Sequence, residues 1–350
     1  MSQSPYSQFS FSLFVVLWKK FFVCVTIFCF LILFVFFIDR ILLNQEKAFN
    51  FRYDFIFDRT RAIRQEIVMQ NFSCEKTLRI LEPIVMFLSF SLFRLNGSSM
   101  AIFDSKICTQ HLQECLLKCL TCYDELERDN QHVYSMNNRI IIEGIYVMLY
   151  IQDATALQRA IRLNPQVKAS FIVKMSIEIC LNFHLRNYYR VLRDIQQLPH
   201  LLAAIASLKL PNHRMEILHA FSIAYNSKSL DVPIDFLQRL LIYDEMKFLV
   251  RDLRDLGIHE ENEEKPTKVI FNRMKFDRSK LIVSRKTDFW KTGLIATKRS
   301  LACFFFSFFI FSQAPRINLW RKSYAIIIYP TWSCLKTCKN LCACSIYDSS

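Results

Sequence analysis

Apolar positions recur with helical period through most of the middle of the chain. In Phe51 to Gln70, Ile56, Thr60, Ile63 and Ile67 follow one another at spacings of four, three and four, so they line one face of a predicted helix. The remaining positions hold a dense polar run of Asp54, Asp58, Arg59, Arg61, Arg64 and Gln65. Asp58 and Arg61 lie three residues apart, close enough to pair across one turn, and Asp54 and Arg61 lie seven apart on the same side. Exposed pairs of this kind contribute only about 0.2 to 0.5 kcal/mol each. The run therefore reads either as a solvated charged face or as a partner-binding one.

The pattern continues as successive helices punctuated by Pro, Asn and Gly. Glu75 to Leu95 is apolar on most sides and stops at Asn96-Gly97-Ser98-Ser99, which predicts a buried helix. A long helix is expected from Asp104 to Glu127, then Asn138 to Ile151, Ala154 to Arg162, Val167 to Phe183 and Asn187 to Gln196. Asn164-Pro165 marks a break, and Pro199 and Pro211 open the next two helices at positions where a missing N–H costs least. Near the end the character changes. Ser229 to Pro233 reads as a helix start, Ile234 to Ile242 and Asp244 to Leu256 as short helices, the second closed by Gly257, and Lys268 to Phe276 as β-like. Helix, turn, helix, strand is the outline of a winged helix.

Composition narrows the function classes. The net charge of +14 suggests nucleic acid or membrane, but residues 51–265 carry as many acidic as basic side chains, and most of the excess lies beyond them. Only 4 glycines occur among 350 residues, which argues against turn-rich β folds and glycine-built phosphate loops. Six central cysteines (Cys74, Cys108, Cys115, Cys119, Cys122, Cys180) read as reduced thiols.

The two ends differ from the middle. Phe21 to Ile38 is an uncharged run long enough for a membrane-spanning helix. Its richness in Phe also fits translated non-coding sequence, and the Phe-rich Leu301 to Gln313 repeats the anomaly ahead of a basic tail without periodicity. Residues 1–50 are thus either an anchor or a mis-assigned exon, and 277–350 a basic, Cys-containing tail that is either disordered or of the same non-coding origin.

The run Asp54, Phe55, Asp58, Arg59, Thr60, Arg61, Arg64 and Gln65 resembles the opening signature of the Sac-three/GANP domain family, known for helical scaffolds of messenger-RNA export. Blocks at Phe103 to Glu125, Asn138 to Ile151, Leu185 to Ala204 and Val232 to Glu245 continue the resemblance in order, to about Phe276. An upstream Cys-Pro-x-x-Glu-x-x-x-Arg element usual in the family has no match in residues 1–50. The compact length resembles the short family type, linked to centrosome duplication and spindle assembly. The resemblance implies a helical-repeat body akin to PCI modules, capped by a winged helix. It also implies a PCI-domain partner and a small acidic subunit.

Candidate chemistry is sparse. His111, Cys115, Cys119 and Cys122 share one face of a helix, but four ligands on one straight helix cannot close around one zinc ion, so they read as a buried thiol seam. Cys334, Cys338, Cys342 and Cys344 lie in the tail. The chain contains no H-E-x-x-H, G-x-S-x-G or G-x-x-x-x-G-K-[ST] motif. The acidic run Glu260 to Glu264 reads as a solvated loop. Candidate nucleic-acid contacts are Arg186, Arg190, Arg193, Lys209, His213 and Arg214, with Arg239, Lys247, Arg251 and Arg254 on the winged helices; Asp252 and Asp255, interleaved with the last two, argue against them.

The expected protein is all-α: a helical-repeat, TPR/PCI-like bundle over residues 51–228, ending in a winged helix with a short β wing over 229–276. It is expected to be a non-enzymatic scaffold without cofactor or metal, acting in centrosome duplication and spindle assembly or in nuclear messenger-RNA export, with RNA as a further ligand. The expected location is nucleus and cytoplasm or centrosome, or a membrane if residues 21–38 are an anchor, which would make the chain a membrane-anchored helical adaptor.

Overall fold

The structure, a computed structural model, describes residues 48–129, 136–227, 229–260 and 267–279. The candidate span at 21–38, the C-terminal tail and most of the acidic run lie outside the described residues. Among those described, no helix is long and apolar enough to cross a membrane.

The first helix, α1 (Phe49–Met69), buries Tyr53, Ile56, Thr60, Ile63 and Ile67, which is the face its periodicity predicts. It packs through aromatic edges, Phe49 on Phe90 at 5.7 Å and Tyr53 on Phe103 at 5.1 Å between ring centres. Next, α2 (Cys74–Arg94) is buried almost all round and runs against α3 (Ser105–Arg128). Asp104 caps α3, accepting from the backbone N–H of Lys106 and Ile107 at 2.8 and 3.2 Å. α4 (Met136–Leu149) and α5 (Ala154–Arg162) follow. A Cβ on Gly144 would stand 2.6 Å from Leu202, so the glycine lets a later helix pack closely on α4.

The helix expected over Val167 to Phe183 is instead two, α6 (Pro165–Lys168) and α7 (Phe171–His184). Ser170 breaks it: its hydroxyl donates to Val167 O at 2.7 Å and accepts from Val173 N–H at 3.4 Å, so the side chain replaces the helical bonds at that turn. α8 (Tyr188–Ile195), α9 (His200–Ser207) and α10 (Leu210–Ala224) complete the helical body, with Asn187 and Pro199 at the caps of the first two and Pro211 in the first turn of the third.

The C-terminal cap is a three-stranded antiparallel sheet, order β1-β3-β2, with two helices. Val232 and Pro233, expected to precede a helix, belong to β1 (Asp231–Pro233), because β3 (Lys268–Ile270) pairs with them, Val232 opposite Val269. β3 is shorter than the β-like stretch and carries β2 (His259–Glu260) on its other edge. α11 (Ile234–Leu240) and α12 (Met246–Asp255) bury Leu237, Leu249 and Leu253 against Val269 and Phe271, and Leu192, Leu210, Ile217 and Leu218 of the body join the same core. The all-α reading, with a small β cap, therefore describes the fold.

Candidate interaction surfaces

The polar side of α1 divides in two. Phe51, Asp54, Phe55, Asp58 and Gln65 fall on the outer strip, opposite the buried face, with Phe51 64% and Phe55 46% exposed. The Arg59 guanidinium lies 5.5 Å from the Phe55 ring centre. Partial burial, then the neighbouring Asp58 carboxylate, raises the Asp54 carboxyl above its ordinary range. Arg64 turns the other way, donating to Glu114 and contacting His111 on α3. Neither Asp58 nor Arg61 forms an ion pair among the described residues, so the pairing expected from their spacing is absent: both are exposed, where holding two long side chains together gains little.

Inside the body lies a polar network that sequence reading missed. Arg159 forks onto Asp124 with two bonds of 2.8 Å and onto Glu143 with bonds of 3.1 and 2.9 Å, joining α3, α4 and α5. Burial raises the Glu143 carboxyl, and Arg159 opposes that shift. Glu82, on the apolar helix α2, accepts from Tyr123 Oη and, at 2.7 Å, from Asn138 Nδ2. A carboxylate set among Ile80, Leu81, Ile84 and Val85 was the available signal, because an ionisable group in a buried apolar stretch needs partners from its neighbours.

The cysteines face the core. Cys115, Cys119 and Cys122 are buried free thiols, and burial pushes Cys115 up to about 12, while His111 faces Arg64.

The basic candidates separate by environment. Arg214 is corrected: it is fully buried and unable to meet a nucleic acid. It donates to Leu241 O at 2.8 Å and Ile242 O at 2.5 Å, and stacks 3.7 Å from the Tyr243 ring centre. Ile242 has φ 55, unfavourable for a β-branched residue, so Arg214 holds the strained turn between α11 and α12. His213 is buried too. Arg193 pairs with Asp194 at 2.8 Å, Arg239 donates to Asp235 O of its own helix, Lys209 is half-buried, and Arg186 and Arg190 are exposed around the α7–α8 turn. On α12, Lys247, Arg251 and Arg254 share one exposed face beside Phe248, with Lys247 also paired to Glu245. Of the two acids that argued against this stripe, Asp252 points inward and accepts from Tyr243 Oη at 2.7 Å, whereas Asp255 is exposed one turn from Arg251.

Comparison with known proteins finds similar sequences over much of this region. The sequence model of the SAC3/GANP family matches residues 34–262. Protein xmas of Drosophila melanogaster is 25% identical over 197 residues, a stretch that covers 55% of this chain and 9% of that protein.

Proposed function

This chain belongs to the SAC3/GANP family, and we propose that it is a non-enzymatic scaffold, assembled with partner proteins through the outer strip of α1. The observation that carries this reading is the strip itself. Phe51, Asp54, Phe55, Asp58 and Gln65 are exposed, contribute little to the core, and still combine large aromatic area with fixed charge, the composition of a recognition patch. The finer reading is a role in centrosome duplication and spindle assembly, with a PCI-domain protein docking beside the cap and a small acidic subunit along the helices.

A second reading, a nuclear messenger-RNA export subunit that also touches RNA, draws support from the stripe Lys247, Arg251 and Arg254 and from exposed Tyr189 between Arg186 and Arg190, since base stacking on an aromatic flanked by cations suits single strands. Imaging and affinity purification of the tagged full chain separate the two. Concentration at centrosomes with a PCI-domain protein supports the first; nuclear-rim staining with poly(A) retention supports the second. Recovery of the chain without stoichiometric partners contradicts both.

A further inference from the structure

Asn96 and Gly97 form the chain's one Asn-Gly step, a turn-marking pair that the fold leaves open. α2 ends at Arg94, Leu95 caps it, and the chain then turns with Gly97 in the left-handed region at φ 73. The amides on either side are engaged, Asn96 N–H with Phe93 O at 3.3 Å and Ser98 N–H with Leu95 O at 3.1 Å. Among the described residues, Gly97 N–H donates to no backbone or side-chain acceptor, and the glycine is exposed. A backbone nitrogen free of hydrogen bonds, with no Cβ beside it, can approach the carboxamide of the residue before it.

Asn226, Asn71 and Asn164, also outside helices, lack that combination. Asn226 is exposed, but its Oδ1 accepts from Arg273 N–H at 3.1 Å, and the amide that follows it, Ser227 N–H, donates to Tyr225 O at 2.8 Å. After Asn71 comes Phe72, whose N–H donates to Ile67 O at 3.4 Å. Asn164 precedes Pro165, which has no N–H to lose.

We propose that Asn96 is a modification site, at which the side-chain amide is lost to give aspartate and isoaspartate. The Gly97 nitrogen attacks Asn96 Cγ, an N–C bond forms, the Cγ–Nδ2 bond breaks, and ammonia leaves with the proton of the Gly97 N–H. Water then opens the cyclic imide. Cleavage at Cγ leaves aspartate, and cleavage at the main-chain carbonyl carbon leaves isoaspartate, the chain now running through Cβ and Cγ. Solvent water is the one reagent consumed. Either product sets a carboxylate just past the end of α2, where the helix dipole disfavours it. Isoaspartate also lengthens the main chain in the segment that carries Phe103 onto Tyr53 of α1, and its free carboxylate makes it an acceptor for isoaspartyl carboxyl methylation. The site does not depend on the scaffold role.

The test is to age the full chain at physiological temperature, folded and in urea, at mildly acidic and mildly alkaline pH. Mass spectrometry follows the tryptic peptide Leu95 to Lys106, and isoaspartate is counted by enzymatic transfer of a labelled methyl group. In the folded chain, conversion at Asn96 should run at least about fivefold faster than at Asn226, the order of rate that a glycine's backbone freedom supplies, and within about threefold of its own rate in urea. It should quicken at alkaline pH, where the Gly97 amide gives up its proton more readily, and isoaspartate should be among the products. Asn96→Gln, whose cyclisation needs a larger ring, should stop it. Conversion in urea but not in the folded chain overturns the site, since the fold would then protect it. So does a rate no faster than at Asn226, a product free of isoaspartate, or the same mass gain in Asn96→Gln.

Discussion

The helical body and the C-terminal cap are built on different principles. The body couples long amphipathic helices through buried carboxylates, Glu143 and Glu82, each satisfied by residues from neighbouring helices. The cap has short strands and helices whose core is shared with Leu192, Leu210, Ile217 and Leu218 of the body, and Arg214 of α10 fastens its inter-helix turn. Polar links thus set the mutual packing of body helices, whereas the cap depends on being seated on the body.

The sharpest way to break the comparison is Arg159→Ala. It leaves Glu143 buried with only the more distant Arg139, at 3.9 Å, and urea unfolding of the full chain should show a loss of about 3–5 kcal/mol. Arg159→Lys, which keeps the charge but not the fork, should lose less. Arg214→Ala comes next. Two carbonyls lose their donor and the Ile242 turn loses its brace, so about 3 kcal/mol should disappear. Hydrogen exchange should rise first in 231–258, before the body. Simultaneous exchange in both regions would mean that the cap is no separate unit.

Acid offers a third lever. Burial, then Lys209, lowers His213 from 6.5 to about 4, so the unfolded chain binds its proton first as pH falls. This group's contribution is complete above about pH 7 and is lost between about pH 6.5 and 4, amounting to as much as about 3 kcal/mol. His213→Leu should flatten that limb in pH-dependent unfolding and cost little at pH 7, since it removes an unpaired polar group. Gly257→Ala should cost about 2 kcal/mol by thermal melting: φ is 76, and the new Cβ would meet Lys275 O at 2.3 Å.

Legibility in the sequence follows the same division. The buried face of α1 was readable because a long helix repeats its period several times. So were the breaks at Asn164 and Asn187, whose side chains accept from the backbone two or three residues on. β1 was not, because three residues gain a strand's bonds only when β3 arrives beside them. Arg214 was misread as a surface cation. Nothing in its own helix announces that the carbonyls of Leu241 and Ile242, far along the chain, will need a donor. The sequence grouped the six polar residues of the α1 run together, whereas the fold leaves Asp54, Asp58 and Gln65 outward and turns Arg64 to α3.

The smallest effect on stability should accompany the largest on assembly. Asp54→Ala, Asp58→Ala and Gln65→Ala combined alter only exposed side chains, each within about 0.5 kcal/mol. Affinity purification of this triple variant beside the wild-type full chain, with melting curves on the same preparations, tests the scaffold assignment most directly. An unchanged melt with partner proteins lost is the predicted result; an unchanged melt with the full set of partners retained would contradict it.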